Sequence, residues 1–146
     1  MSVARILLDT NVLCELMRPR PEPAVLDWFS ARGPQTRFVI SAITQAEILL
    51  GIALLPAGKK RSALALVAQT MFEQEFHGLN LAFDEHAAPV YAAIVAGRSR
   101  SGAPMSVEDA QIAAIATHHR VPLATRNTKD FANLPGLVLI DPWAPA

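Results

Sequence analysis

The chain lacks several features that mark common protein classes. Its only cysteine, Cys14, excludes an intramolecular disulfide, so nothing in the sequence requires an oxidising compartment. No apolar run reaches membrane-spanning length, and the N-terminus lacks the basic and apolar regions of a signal peptide. Basic and acidic residues balance at 13 each, which excludes a uniformly basic nucleic-acid-binding surface but not a local basic rim. We therefore expect a soluble cytoplasmic protein.

What the chain does contain indicates one folded domain. Its 146 residues suffice for one compact domain and are too few for two ordinary ones. Hydrophobic residues make up 51% of the sequence, well above the composition of a disordered chain. There is no internal repeat, low-complexity segment or linker. We predict a single domain over residues 1–146.

Apolar periodicity and turn residues divide this domain into alternating strands and helices. Predicted strands cover residues 3–8, 37–40, 79–83, 121–125 and 137–140. Predicted helices cover residues 10–17, 23–31, 42–53, 59–76, 84–96 and 106–118, with a Gly/Ser/Arg loop over 97–104. The alternation predicts an α/β fold, a three-layer α/β/α sandwich with a central parallel sheet covered on both faces.

Acidic residues recur at the predicted strand–helix junctions. Asp9 and Glu47 come after the first two strands, Asp109 opens an apolar helix, and Asp130 follows the strand at 121–125. In parallel α/β sheets, chemistry takes place at the carboxyl ends of the strands, where these acids would meet. They would repel one another unless a cation lay among them. Oxygen ligands without a histidine or cysteine cluster favour Mg²⁺ or Mn²⁺ over Zn²⁺.

Each acid also fits a purely structural role as a helix cap. Asp9 can cap the helix that follows it, and three segments have the spacing of a capping box: Thr44–Glu47, Ser106–Asp109 and Asn127–Asp130. Two observations favour a metal site over a purely capping role. The helix that carries Asp109 is apolar nearly all round, so an unpaired carboxylate there would be costly. If Ser41 caps its helix instead of Thr44, Glu47 has no capping role.

Four segments of the chain resemble the PIN-domain ribonucleases. They are Asp9–Leu13, Ser41–Gly51, Glu108–Ala114 and Leu123–Phe131. Within that family the chain is similar to the VapC toxins, and specifically to their FitB-like branch. The resemblance extends from about Arg5 to Trp143. No single motif is decisive, but their order, spacing and number are highly specific together.

This resemblance implies a PIN fold that is commonly dimeric, RNA as the substrate, Mg²⁺- or Mn²⁺-dependent cleavage, and neutralisation by a VapB-like antitoxin. Carried over position by position, it implies that Asp9, Glu47, Asp109 and Asp130 form the acidic catalytic and metal site. Asn127 stands where some relatives carry an acid, so either Asn127 or Asp130 completes the metal shell.

Other polar residues are assigned to supporting roles around the acids. Ligands or water would be oriented by Thr10, Asn11, Thr125 and Asn127. RNA phosphates would be held by a rim of arginines, unless these are ordinary solvated side chains: Arg18, Arg20, Arg98, Arg100 and Arg126. An antitoxin arginine could enter the acidic pocket, with apolar antitoxin residues packing against Leu16, Met17, Leu26 and Phe29.

Three other functions stay open at this point. A haloacid-dehalogenase-like phosphatase needs a second acid two residues after Asp9, where Asn11 stands. A response-regulator receiver domain needs a phosphoacceptor aspartate after a central strand, and the segment Ile40–Ala42 has none. The third alternative is a catalytically weak partner-binding module in a DNA-binding toxin–antitoxin complex, which only a cleavage assay distinguishes.

Overall fold

Strands and helices alternate along the chain, as the apolar pattern predicts. The computed structural model describes residues 4–145, so the predicted strand residue Val3 and the outermost ends of the predicted domain lie outside the described residues. The strands are β1 (Ala4–Leu8), β2 (Thr36–Ser41), β3 (Asn80–Leu81), β4 (Leu123–Ala124) and β5 (Leu139–Ile140). The helices are α1 (Thr10–Leu16), α2 (Pro23–Ala31), α3 (Ala42–Ala53), α4 (Lys59–Thr70), α5 (Ala88–Arg100) and α6 (Val107–His119).

The five strands form one parallel sheet in the order β3-β2-β1-β4-β5. Alternate residues of β1 belong to two different core clusters, because successive side chains of a strand point to opposite faces. Leu7 packs with residues of α5 and α6, whereas Ile6 and Leu8 pack with residues of α1, α3 and α4. Helices therefore cover both faces, which confirms the α/β/α sandwich. Within the described range, no helix is both long and apolar enough to cross a membrane.

The end of α5 differs from the prediction. We expected a helix over 84–96 followed by a loop over 97–104, but the helix begins at Ala88 and continues through Gly97 to Arg100. Asp84 caps the turn before it, accepting hydrogen bonds from the backbone N–H groups of His86 and Ala87. A glycine inside a helix costs only about 1 kcal/mol, which the neighbouring residues offset here. The predicted end was wrong because Gly97 was taken as a helix terminator.

The residue that ends α5 is Gly102, which lies five positions after Gly97. Its φ of 73° is left-handed, a conformation that glycine adopts without a steric penalty. The N–H of Gly102 donates to Ser99 O at 3.2 Å, and the N–H of Ala103 donates to Arg98 O at 3.0 Å. This is the hydrogen-bond pattern of a Schellman motif. The long helix predicted over 59–76 also ends differently, because α4 passes into a π-helical turn at Met71–Glu75.

Substituting alanine for Gly97 and for Gly102 should change the free energy of unfolding in opposite directions. A Cβ at either position would meet no atom within 4 Å, so only backbone preference acts. We expect Gly97→Ala to raise the free energy of unfolding by about 1 kcal/mol, because alanine favours helix. Gly102→Ala should lower it by about 1–2 kcal/mol, because φ stays left-handed. Urea unfolding of both variants measures the difference, and equal effects would contradict this account of the helix end.

Candidate active site

Asp9 is both a helix cap and the most buried acid at the carboxyl edge of the sheet. The backbone N–H of Asp9 donates to Ala124 O at 2.9 Å, which continues the pairing of β1 with β4. The side-chain Oδ1 accepts from the N–H of Thr10 at 2.8 Å and so caps α1. The other oxygen, Oδ2, accepts from Thr125 Oγ1 at 2.7 Å and from Asn11 Nδ2 at 3.2 Å. The structural and functional interpretations of Asp9 are therefore compatible.

Glu47 has no capping role, because Ser41 caps α3. Ser41 Oγ accepts from the N–H of Thr44 at 3.1 Å, which leaves Glu47 in the second turn of the helix. Glu47 Oε1 instead accepts from Thr10 Oγ1 at 2.7 Å. Thr44 Oγ1 lies 2.9 Å from the same hydroxyl. Since the proton of Thr10 goes to Glu47, the buried Thr44 hydroxyl donates to Thr10.

Sequence reasoning treated Thr44 only as a possible cap and missed this role. The available signal was its spacing, since residues three apart on a helix share a face and Thr44 precedes Glu47 by three. A fully buried threonine on the face of an acid must place its hydroxyl somewhere, because an unpaired buried polar group is costly. The chain from Thr44 through Thr10 to Glu47 satisfies that requirement.

Asp109 and Asp130 line one cavity of about 330 Å³. Asp109 is half-buried in the first turn of α6, where Ser106 Oγ caps the helix by accepting from the N–H of Asp109 at 3.1 Å. Asp130 is exposed, on a turn that follows β4. Lys129 also lines this cavity and brings a positive charge to its rim.

Burial and like charges disfavour ionisation of Asp9. Burial raises the pKa of Asp9 to about 6, against the opposing effect of the hydrogen bonds from Thr125 and Thr10. The negative charges of Asp109 and Glu47 raise this pKa further. Three acids from three different elements therefore act on one another electrostatically.

Asp109 extends the same coupling to the fourth acid. Burial raises the pKa of Asp109, and the Ser106 hydroxyl opposes the shift. The charges of Asp130, Glu47 and Glu108 also raise it. Asp9, Glu47, Asp109 and Asp130 thus share one negative field at the carboxyl edge of the sheet. We call these four residues the acid cluster.

The acid cluster suits a hard cation held partly through water. Among residues 4–145, no three carboxylate, imidazole or thiol side chains lie close enough together to hold a metal ion directly. Mg²⁺ commonly takes only one or two protein carboxylates and keeps several waters, with oxygen as every ligand. The all-oxygen composition and the raised pKa values of Asp9 and Asp109 fit such an ion. Direct ligation by all four acids stays a prediction.

The predicted supporting residues link the acids to the backbone. Asn11 Nδ2 donates to Thr125 Oγ1 at 3.3 Å, and Asn11 Oδ1 accepts from the N–H of Arg126 at 3.1 Å. Thr125 Oγ1 also accepts from the N–H of Asn127 at 3.1 Å. The Asn127 residue is itself exposed. These bonds tie the segment after β4 to the segment after β1.

Two of the five assigned arginines contact other side chains. Arg18 Nη1 donates to both carboxylate oxygens of Glu15, at 3.2 and 3.0 Å. Glu15 also accepts from the N–H of Glu22 at 2.9 Å, and this bond, followed by Arg18, lowers the pKa of Glu15. Arg126 lies over the ring of Trp143, 5.0 Å from its centroid, in a cation–π arrangement.

The other three assigned arginines differ in their surroundings. Arg98 turns its guanidinium towards the chain's own backbone, with Nη1 3.2 Å from Ala103 O and Nη2 3.0 Å from Asp130 O and 2.8 Å from Ala132 O. The remaining two are exposed: Arg20 and Arg100.

An apolar groove of about 360 Å³ opens beside Glu47. Of the residues expected to form such a groove, Met17 lines it. Leu16 and Phe29 pack against the core on that face of the sheet instead, and Leu26 is exposed. The groove is lined by Thr10, Cys14, Met17, Arg18, Pro19, Glu47, Ile48, Gly51, Ile52, Leu55 and Leu64.

Removing one charge from the acid cluster should stabilise the metal-free protein in a pH-dependent way. The folded state holds the Asp9 proton up to about pH 6, against 3.8 for an ordinary aspartate. Stability is therefore lost as the pH rises through this window, by about 3 kcal/mol at neutral pH. We expect the gain from Asp109→Asn to grow between about pH 4 and pH 7, because the variant relieves the repulsion on Asp9.

Urea unfolding in EDTA across that pH range measures this gain. The control is Asp27→Asn on α2, which makes the same chemical change at an exposed position outside the acid cluster. A gain from Asp109→Asn that is equally large at both ends of the range would contradict the electrostatic coupling.

The chain is similar to known proteins over nearly its whole length. The PIN domain family model matches residues 6–137. VapC ribonuclease Y4jK from Sinorhizobium fredii is 41% identical over 145 residues, covering 97% of this chain and 99% of the relative. Toxin FitB from Neisseria gonorrhoeae is 38% identical over 138 residues, covering 94% and 98%. In the structure of FitAB bound to an IR36 DNA fragment, a chain with 36% identity matches at a TM-score of 0.85 and 97% coverage of both chains. The chain belongs to the PIN-domain family.

Proposed function

We propose that this protein is a metal-dependent endoribonuclease and the toxin of a type II toxin–antitoxin pair. The observation that carries the proposal is the acid cluster, in which burial and like charge raise the pKa of Asp9 to about 6. Perturbed pKa values of this kind cluster at functional sites, and a cation would offset the repulsion. Membership of the PIN-domain family and the likeness to VapC ribonuclease Y4jK support RNA as the substrate.

The acid cluster would hold Mg²⁺, with Mn²⁺ as a substitute. Such an ion would supply a water that is nucleophilic at neutral pH, together with positive charge to stabilise the phosphate and the leaving oxygen. The Thr10 hydroxyl donates to Oε1 of Glu47 and so fixes the orientation of that carboxylate. Thr125 and Asn11 fix Oδ2 of Asp9 in the same way.

We assign the fourth acidic position to Asp130 and not to Asn127. The charge of Asp130 acts on Asp109, and both residues line the same cavity. Asn127 is neutral, and its backbone N–H is held by Thr125. The exposed Arg20 and Arg100 are the best placed of the arginines to hold RNA phosphates, since neither is turned towards the backbone as Arg98 is.

Cleavage should depend on the metal and on the acid cluster. We expect the purified protein to cut a labelled single-stranded RNA with Mg²⁺ or Mn²⁺ and to stop in EDTA. Asp109→Asn should lower kcat/KM about a hundredfold or more, since a catalytic metal supplies several kcal/mol of transition-state stabilisation. Asp130→Asn should lose less, because Asp130 is exposed. Product formation on a denaturing gel measures each rate.

Asp109→Asn is a cleaner test than Asp9→Asn. An amide at position 9 would have only one oxygen for the donors that now bind two, so a loss of activity could come from a distorted site. Asp27→Asn keeps the same chemical change on an exposed helix and should leave the rate unchanged. Full cleavage in EDTA would exclude the metal-dependent mechanism, whereas no cleavage with either metal ion would favour the catalytically weak partner-binding alternative.

The apolar groove beside Glu47 would receive the antitoxin. FitAB is a complex, which supports a partner for this chain as well. A helix with an apolar face would fit the groove, and an arginine at its end would reach Glu47 and form bidentate hydrogen bonds to carboxylate. Such an arginine would occupy the position of the metal, so inhibition would displace the ion and block RNA together.

Filling the groove should free the toxin from inhibition. Gly51 lines the groove, and a Cβ there would meet no atom of the chain within 4 Å. We expect Gly51→Trp to weaken inhibition by a co-expressed VapB-like antitoxin at least about tenfold, or about 1.4 kcal/mol. RNA cleavage by the variant alone should continue. Ala92→Trp, on the exposed side of α5, is the control. Unchanged inhibition of Gly51→Trp would exclude this groove as the docking site.

A homodimer would use apolar side chains that the monomer leaves uncovered. More than half of the surface of each of three leucines in and after α3 and in α4 is exposed: Leu50, Leu54 and Leu66. Exposed apolar patches of this kind mark protein–protein contacts in soluble proteins. Both the homodimer and its interface are parts of this proposal.

A further inference from the structure

We propose that Arg98 is a positioning residue that fixes the turn bearing Asp130 against the segment leading into the helix of Asp109. The inference rests on the proposed function, because it concerns the geometry of the acid cluster. It also revises the expectation that Arg98 binds RNA phosphate. A guanidinium that joins two segments of the site would set the spacing of two acids without touching the substrate.

The hydrogen bonds of Arg98 join three points on two loops. Nη2 donates to Asp130 O at 3.0 Å and to Ala132 O at 2.8 Å. Nη1 donates to Ala103 O at 3.2 Å. Ala103 lies in the short connection between α5 and α6, three residues before the Ser106 cap. One planar group therefore bridges the segments that carry the acids facing each other across the cavity.

The end of α5 holds this guanidinium in place. The N–H of Ala103 returns to Arg98 O at 3.0 Å, so the two residues are bonded through both backbone and side chain. This backbone hydrogen bond requires the left-handed conformation of Gly102, whose φ is 73°. The Schellman end of α5 thus sets the position from which Arg98 reaches the turn.

The hydrogen bonds within the turn become longer towards its end, where Arg98 bonds Ala132 O. These backbone bonds measure 3.0 Å at the N–H of Asp130, 3.3 Å at Phe131 and 3.4 Å at Ala132. The buried ring of Phe131 anchors one side of the turn in the core. Arg98 bonds the carbonyls on both sides of that anchor, so it fixes the direction in which the exposed Asp130 projects.

Substitutions at Arg98 can separate the effect of its positive charge from that of its planar shape. Arg98→Lys keeps the positive charge but loses the planar fork that can bond several carbonyls at once. Arg98→Ala removes both. The control is Arg100→Ala, on the same helix two residues away, where the arginine is exposed.

The first measurement uses the metal-free protein and does not depend on activity. We expect Arg98→Lys and Arg98→Ala to speed hydrogen exchange in residues 127–132 about tenfold or more, as the loss of bonds to a charged group implies. Exchange in β1 should stay unchanged, which separates a local release from global unfolding. Arg100→Ala should leave both regions as in wild type.

The second measurement is Mn²⁺ binding followed by electron paramagnetic resonance. Both Arg98 variants should bind Mn²⁺ about 10–100-fold more weakly, the usual effect of losing an interaction that orients a ligand. In RNA cleavage their KM should be unchanged while kcat falls and recovers at high Mn²⁺. Arg100→Ala should instead raise KM and reduce its salt dependence.

The opposite pattern would overturn the inference. If Arg98→Lys matches wild type in exchange and Mn²⁺ affinity while Arg98→Ala only raises KM, Arg98 is a phosphate ligand. If wild type binds no Mn²⁺ and cleaves no RNA, the proposed function fails, and the exchange measurement still decides whether Arg98 holds the turn. Should both variants fail to fold, restricted rotation of the Arg98 guanidinium in wild-type NMR spectra supports the role, and rotation as free as that of Arg100 excludes it.

Discussion

The structure depends on burying an ionisable carboxylate, Asp9, of which only 3% is exposed. Parallel pairing of β1 with β4 positions this acid, because the N–H of Asp9 donates to Ala124 O and the residue that follows β4 is Thr125. The Thr125 hydroxyl then bonds Asp9 at 2.7 Å. The hydrogen bonds favour the ionised form, and burial opposes it more strongly, so the pKa is still raised. Every other element of the site arranges further charge or hydroxyl groups around this buried acid.

Local sequence was sufficient for much of this architecture. The apolar run before Asp9 predicts a buried strand, and residues 42–53 carry a helix whose bounds the structure reproduces as Ala42–Ala53. Parallel strands bring their carboxyl ends to one edge, so the acids of three junctions could be assigned to one region without coordinates. The choice of Ser41 over Thr44 as the cap was the one local ambiguity that mattered, since it decides whether Glu47 has a structural role.

What the sequence could not predict depends on contacts between distant segments. The bond from Thr10 to Glu47 spans 37 positions, and the bonds from Arg98 to the turn at Asp130 and Ala132 span 32 and 34. Arg98 was assigned to RNA because a basic residue near an acidic site suggests phosphate, and only the tertiary fold shows which groups its donors face. The same region misled the helix prediction, because a glycine inside a helix costs only about 1 kcal/mol and Gly97 alone does not end α5.

The electrostatics of the acid cluster also explain why one site would serve both catalysis and control. Four carboxylates on a chain of zero net charge form a local anion that stability alone does not favour. A divalent cation and a guanidinium each relieve that repulsion, and both prefer the same oxygen atoms. The two would therefore compete, and a partner would need no contact with RNA to prevent cleavage. The apolar groove next to Glu47 would supply the binding energy, while the arginine would supply the inhibition, so affinity and inhibition would depend on different residues of the partner.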